Sequence, residues 1–312
     1  KGLEEQGLNV YHTPRNVVRC DGTSCGFCVF GCKKGYKQST LETWIRDAYQ
    51  YGTKFFIETM AKELIIDNKQ VTGIKIMNTR NGDIADVVAK KTILAAGSLA
   101  TPVIMQRSNL THPTLGKQLS LQPTALVAAK FESKVYPWKG TPQGFFCDDF
   151  LRHDTEKHGY LIQSIPLHPA RFMSWFEGIL NEKKQQLLNE YLFWTGIGIT
   201  LADRGSGYVK SVAEYDYECG YQLGYKDQKN LRHGLETVCR ALYLGGAEEI
   251  LISTNPLVSW HRKSKMPIES FLRKLTVISS KKIIMGSTQQ MGTAAMGIDP
   301  KKSICNADGK VH

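Results

Sequence analysis

The stretch that most constrains the fold is DVVAKKTILAAGSLATPVIMQRSN, residues 86–109. Asp86–Ala95 carries the β-branched and aliphatic residues of a strand. It runs into the turn Ala95-Ala96-Gly97-Ser98, and TPVIMQRSNL (101–110) continues as a helix. Strand, glycine turn and helix in that order make up the repeating unit of α/β sheets. Such sheets receive ligands at the ends of their strands, so this turn is the first candidate site.

The rest of the chain supports a mixed α/β (α+β) reading. Ser39-Thr40-Leu41-Glu42 has the form of a capping box, followed by Leu41, Trp44, Ile45 and Ala48 at helical spacing and by Gly52 as a stop. Lys54–Ile57, Glu63–Ile66 and Val71–Met77 read as short strands, with Asn81-Gly82 supplying turn chemistry after them. From Gly116 onward, strands alternate with loops rich in proline and aromatics. Two helices stand out there, Asn181–Trp194 and a longer one from Asp227 to Gly245-Gly246. The expected organisation is a first domain over 1–115, an inserted second domain over 116–283, and a return to the first over 284–312.

The 312 residues are 42% hydrophobic and 22% charged, an ordinary globular composition. The formal net charge of +11 suits an acidic partner or an anionic membrane surface. The lysines fall in scattered pairs rather than in a block of like charges, which argues against a nucleic-acid arm. No apolar run is long enough to span a bilayer as a helix, and no signal peptide is visible. The chain opens on Lys1-Gly2-Leu3 without Met and closes on Val311-His312, and both ends read as cuts through a longer protein.

Cys20, Cys25, Cys28 and Cys32 fall in CDGTSCGFCVFGC. The spacing matches part of a ferredoxin pattern and half of a zinc site, but completes neither. The expectation is a structural loop with buried thiols or one disulfide, and no metal. His153, His158 and His168 are spaced irregularly and read as packing residues. Asp203–Gly207 reads as a turn between strands, and His261 as part of a basic turn. The aromatics of Phe172–Phe176 fit an apolar channel, a membrane contact or a core equally well.

Several of these segments together resemble the glucose–methanol–choline (GMC) oxidoreductases. Gly97, Ser98, Thr101, Pro102, Ile104, Met105 and Ser108 fit that family's second signature, with Asn109 in place of its final Gly. CGFCVFGCKKGYKQSTLETWIRDA (25–48), YLIQSIPLHP (160–169), DRGSGYV (203–209), NLRHGLETVCRALYLGGAEEI (230–250), QQMGTAAMG (289–297) and ADGKV (307–311) are similar to its long-chain fatty alcohol oxidase branch, in the same order. The resemblance implies a partial Rossmann-like FAD-binding domain and an antiparallel-sheet substrate or cap domain. It implies FAD held in part by Gly97, Ser98, Thr101 and Pro102, with the backbone near Met60 beside the adenine. It also implies oxidation of an alcohol to an aldehyde, with oxygen reduced to hydrogen peroxide.

The chain departs from that pattern at chemically telling places. No G-x-G-x-x-G loop is present, so no glycine-rich helix start is there for the pyrophosphate. The family's His-x-x-Gly-Thr becomes Gln289-Gln290-Met291-Gly292-Thr293. A carboxamide hydrogen-bonds but does not take a proton as an imidazole does. Gln118 and Gln122 stand where the branch has Asn and His, and Ala294-Ala295 replaces a Cys-Arg. Two readings follow. The first is a non-catalytic relative without bound FAD, a subunit or scaffold of a larger protein assembly, membrane-associated or in an organelle such as the mitochondrion or peroxisome. The alternative is a FAD-dependent long-chain alcohol oxidase.

Overall fold

The computed structural model describes every residue except Ser24, Glu177, Gly178, Glu214 and Tyr215. In chain order the strands are β1 (Tyr11–His12), β2 (Thr59–Asp67), β3 (Gln70–Asn78), β4 (Ile84–Val88), β5 (Lys117–Leu119), β6 (Thr124–Lys130) and β7 (Phe145–Cys147). They continue as β8 (Tyr160–Ile165), β9 (Trp194–Leu201), β10 (Gly207–Ser211), β11 (Tyr217–Gly220), β12 (Glu249–Ile252), β13 (Val258–His261) and β14 (Met285–Gly286). The helices are α1 (Arg46–Gln50), α2 (Gly97–Arg107), α3 (Pro169–Ser174), α4 (Asn181–Asn189), α5 (Tyr225–Leu244) and α6 (Ile268–Leu275). The chain divides into two compact units. One holds Lys1–Ala48, Gln122–Asp203 and Gly224–Ser287, and the other Tyr49–Leu121, Arg204–Leu223 and Thr288–His312.

The first unit is built on an antiparallel sheet in the order β1-β7-β8-β9-β6-β12-β13, with β14 also paired to β6. Strands β6 and β9 run side by side from Thr124↔Thr200 to Lys130↔Trp194. Alternation puts Leu126 and Ala128 on one face, in a core with Phe172, Phe176, Tyr191 and Trp194. On α5, Leu231, Leu235, Val238 and Leu242 recur at helical spacing and are all buried. Each such leucine stabilises the fold by about 1.5–3 kcal/mol relative to an exposed one. A Cβ on Gly234 would come within 2.6 Å of Ile199, so α5 depends on glycine for its close approach to the sheet.

Residues 1–48, expected with the segment that follows them, belong to this unit instead. Strand β1 extends the sheet at β7, and Gln6 Nε2 donates to Thr237 O at 3.2 Å. Helix 181–194 ends early, at Asn189. Tyr191 stacks on Trp138 at 5.5 Å and its hydroxyl donates to Leu167 O, so Tyr191–Phe193 forms a single 3-10 turn and Trp194 opens β9. The Phe172–Phe176 aromatics are core: Phe172 and Phe176 are fully buried and Trp175 nearly so.

The Ser39 cap does not form. Ser39 offers its carbonyl to Glu42 N and Thr43 Oγ1, and the first turns are a π-helix over Leu41–Ile45. Leu41, Trp44 and Ile45 are exposed rather than packed inward.

The second unit contains two three-stranded antiparallel sheets, β2-β3-β4 and β11-β10-β5. Helix α2 is tied to both. Leu64 N on β2 donates to Ser108 Oγ at 2.7 Å. Gln106 donates to Val209 O on β10 at 3.2 Å and accepts from Ser211 N at 2.7 Å. Residues 54–57 are not a strand, because Glu58 turns through φ +53° immediately before β2 begins. The strand expected over 86–95 stops at Val88. Beyond it, 92–95 has no ladder partner among the described residues. Residues 204–223, expected in the inserted domain, join this unit through the pairing of Tyr208 with Lys117.

Candidate functional site

The expected turn lines a large cleft of the second unit. Gly97 takes φ +79° and starts α2, and Ala96 N donates to Thr101 Oγ1 at 3.1 Å across the turn. No atom lies within 4 Å of the position a Gly97 Cβ would occupy, so the helix start is open. The first amides of a helix have no partner within it and carry partial positive charge, which suits an anion or another strong acceptor.

The loop after Gln289 closes onto this helix start. Ser98 Oγ donates to Gln290 O at 2.6 Å, and Thr293 Oγ1 donates to Ser98 O at 2.6 Å. The loop is also pinned to the segment containing β5. Met291 and Ser120 exchange two backbone hydrogen bonds of 2.9 Å, and Thr293 N donates to Lys117 O at 3.0 Å. Gly292, at φ +88°, lies against Gln118 O, where a Cβ would come to 2.0 Å. Thr293 is fully buried and itself left-handed at φ +68°.

The cleft has a volume of about 1040 Å³, at the upper end for a small-molecule site. Gly97, Ser98 and Thr101 line it together with Gly292, Thr293 and Ala294. Two segments nearly two hundred residues apart in sequence thus share one wall. Pro102 is buried within α2 and does not line the cleft. Met60 lies on β2 opposite Met77 and is not among the lining residues either. Gln289 is exposed and stands outside the lining.

Sequence reasoning missed three ionisable lining residues, Lys69, Cys305 and His312. Lys69 sits in the turn between β2 and β3, and both Asn68 and Lys69 have positive φ. Burial pushes the Cys305 thiol up from its usual range. His312 Nε2 lies 3.1 Å from Ser303 Oγ, which holds the ring in place. A His directly after the Gly309-Lys310-Val311 signal was legible in principle, but nothing local in the sequence ties it to Gly97.

Among the described residues, no group of three or more His, Cys, Asp or Glu side chains is placed to hold a metal ion. His158 Nδ1 meets Ala202 O at 2.9 Å, and His168 is buried against Phe27 and Phe30, so these imidazoles serve packing. All eight cysteines are free, and the four of the N-terminal loop are exposed or partly exposed rather than buried or bridged. No helix among the described residues is long and apolar enough to cross a membrane.

A family model described as GMC oxidoreductase matches residues 1–124. The long-chain-alcohol oxidase FAO4A of Arabidopsis thaliana is 29% identical over 99% of this chain and 44% of its own length. The chain therefore spans under half the length of that relative. Two solved structures share the fold. Pyridoxine 4-oxidase from Mesorbium loti has a TM-score of 0.61 at 15% identity, over 90% of this chain and 55% of its own. A FAD-dependent oxidoreductase from Chaetomium thermophilum has a TM-score of 0.54 at 15% identity, over 89% and 58%.

Proposed function

We propose that the chain, which is similar to the GMC oxidoreductases and among them to the long-chain-alcohol oxidases, forms part of a FAD-dependent oxidase of long-chain aliphatic alcohols. One observation carries the reading. The Gly97 helix start and the Gly292-Thr293 loop form one wall of a dinucleotide-sized cleft, in a chain similar to such oxidases along nearly its whole length.

The residues present fit part of a flavin dinucleotide. Gly97 leaves the helix start open, and Ala96 at its N-cap makes no side-chain capping bond to it. Lys69 puts a cation on the rim of the same cleft. When bound, FAD supplies the acceptor for a hydride, and the protein supplies binding, orientation and a dry site. Gly97, Ser98 and Thr101 would hold it through backbone and hydroxyl groups. Thr293 fixes the wall by bonding Ser98 O. Gln289, outside the lining, has a carboxamide that hydrogen-bonds but takes no proton, so any proton acceptor for the alcohol is another group. Among the described residues, His312 is the imidazole of the cleft lining.

The rival reading, a non-catalytic subunit, draws on Gln289 and on the missing G-x-G-x-x-G. The comparisons support the oxidase reading better, and nothing among them favours a scaffold. One experiment separates the two. The purified protein is mixed with FAD, flavin absorbance is recorded, and straight-chain alcohols of graded length are added under oxygen. The oxidase reading expects bound flavin that bleaches with longer alcohols and yields hydrogen peroxide. Bound flavin that no alcohol reduces, with Gln289→His restoring turnover by about 10²–10⁴-fold, would instead show a site that lost only its base. Protein that binds no flavin at all would overturn the proposal.

A further inference from the structure

Helix α5 lies close to the sheet of the first unit at one end and stands off it at the other. At Gly234 a Cβ would come within 2.6 Å of Ile199, and Ile199 is fully buried. Two and four residues back along β9, Ile197 and Thr195 are only half-buried, although β9 has β8 and β6 on either side of it. Between this part of the sheet and residues 238–245 of α5 and its cap is a cavity of about 340 Å³. Strand alternation sets its floor. Ser164 pairs with Ile197 and Ile162 with Ile199, so Ile162, Ser164, Thr195 and Ile197 share the face turned to α5. Its wall is fastened. A Cβ on Gly2 would come to 1.9 Å from Ala241 O, and Gln6 Nε2 donates to Gly2 O at 3.4 Å and to Thr237 O at 3.2 Å. None of the lining residues lines the Gly97 cleft.

The lining determines what such a space takes. Protein interiors leave few voids larger than a water molecule, and this one is far larger. An engineered apolar cavity of about 150 Å³ holds a benzene, so by the same measure there is room here for roughly a dozen carbons. Among the described residues no carboxylate lines the cavity, and its one lining cation, Lys1, is exposed to solvent. A charged head group on the floor would lose its water without gaining a partner. A neutral hydroxyl would gain two. Ser164 Oγ accepts the Phe145 N–H at 3.3 Å and keeps its own proton to give. Thr195 adds a second hydroxyl on the neighbouring strand, diagonally opposite Ser164. Cβ atoms so placed stand about 7–8 Å apart, and one oxygen between them reaches both hydroxyls.

We propose that this cavity is a binding site for one medium-chain primary alcohol, with its chain under α5 and its hydroxyl between Ser164 and Thr195. The site holds the molecule and performs no chemistry on it. The apolar chain supplies the driving force, and the two hydroxyls select an alcohol over a hydrocarbon or a carboxylate. The proposal rests on the cavity of the first unit alone, so it stands whether or not the flavin reading does.

The test uses the whole chain without added FAD, so no outcome depends on flavin chemistry. A 1-decanol analogue with a diazirine in its chain is bound and photolysed, and the labelled peptides are identified by mass spectrometry. Labels are expected on residues 195–197 and 238–245. Unlabelled 1-decanol should compete at least about three- to tenfold better than decane, which cannot use the hydroxyls, and better still than decanoate. Thr195→Val keeps the shape and removes one hydroxyl. It should weaken 1-decanol about three- to tenfold and leave decane unchanged. Ala241→Leu fills the space and should abolish the labelling, with circular dichroism confirming the fold. Labels confined to residues of the Gly97 cleft would overturn the proposal. So would decanoate competing as well as 1-decanol, or a Thr195→Val protein that binds 1-decanol as tightly as the native chain.

Discussion

The Thr293 hydroxyl donates at 2.6 Å to the Ser98 carbonyl, the one that Pro102 leaves without a helical donor. In a regular helix the amide of residue 102 would bond the carbonyl of residue 98, and proline has no N–H to do so. A side chain from another part of the chain fills that vacancy, and in doing so fastens the Gly292-Thr293 loop to the helix start. Thr293→Val keeps the shape and removes the donor. Leaving a buried acceptor unpaired costs about 1–3 kcal/mol. Urea unfolding should show a loss of that size, together with weaker FAD binding. In a Pro102→Ala background residue 102 regains its amide, so the same Thr293→Val change should cost clearly less. Additive costs in that double-mutant cycle would sink the pairing.

Gln118 bears on the same loop from the other side. It has φ +61°, and its carbonyl faces Gly292. A left-handed residue other than Gly, Asn or Asp carries a conformational penalty of about 1 kcal/mol, which Asn largely escapes. Gln118→Asn, which restores the residue type of the branch the chain resembles, should raise stability by about 0.5–1 kcal/mol. Chemical denaturation of the two proteins side by side checks this, and a destabilised variant would mean that the Gln118 side chain holds something its backbone does not show.

A partly buried cluster in the first unit should make stability depend on pH. His233 Nδ1 lies 2.6 Å from Tyr160 OH, and its ring stacks on His153 at 4.2 Å. Burial, and next the charge of His153, push the His233 imidazole below its ordinary value, with Glu236 pulling weakly the other way. The unfolded chain therefore binds the proton more readily than the folded one, and stability rises with pH in the window between the two values. It should start to fall as pH drops below about 6.5 and level off below the depressed folded value. The carboxyls held low by partners, Asp149 beside Asn9 and Glu269 beside Arg240, act only at more acidic pH. Urea midpoints across this range should slope for the native chain and flatten for His233→Gln. An unchanged slope would assign the effect elsewhere.

Which parts of this were legible in the sequence follows from how local each cause is. Gly97 could be read because a glycine turn between a strand and a helix is a short-range signal, and Gly292-Thr293 because the loop resembles the family's His-x-x-Gly-Thr; the crowding at Gln118 O that requires the glycine shows only in the structure. Tyr191 misled, because its periodicity was helical while its stacking on Trp138 belongs to the tertiary fold. Leu41, Trp44 and Ile45 misled in the opposite sense: helical spacing suggested a buried face, and the structure exposes it. Lys69, Cys305 and His312 could not be found, since a cleft wall drawn from three distant segments leaves no mark on any one of them.

Two glycines of the cleft wall separate folding from binding. Both Gly97 and Gly292 have positive φ, so alanine at either position carries a conformational cost of about 1 kcal/mol. Their surroundings differ sharply. A Cβ at Gly292 would come to 2.0 Å from Gln118 O and 3.0 Å from the carbonyl carbon, contacts that only backbone movement can relieve. A Cβ at Gly97 would meet nothing within 4 Å and would project into open space at the helix start. Gly292→Ala should therefore lose well over 3 kcal/mol, or fail to fold around the loop, because overpacking adds to the backbone strain. Gly97→Ala should lose only about 1 kcal/mol, and its bulkier relative Gly97→Val little more in packing. If the open helix start is where FAD sits, Gly97→Val should nonetheless weaken flavin binding at least about tenfold, through steric exclusion alone. The readouts are urea midpoints for stability and quenching of flavin fluorescence for binding. A Gly97→Val protein that folds well and binds FAD as tightly as the native chain would show that the cofactor lies elsewhere.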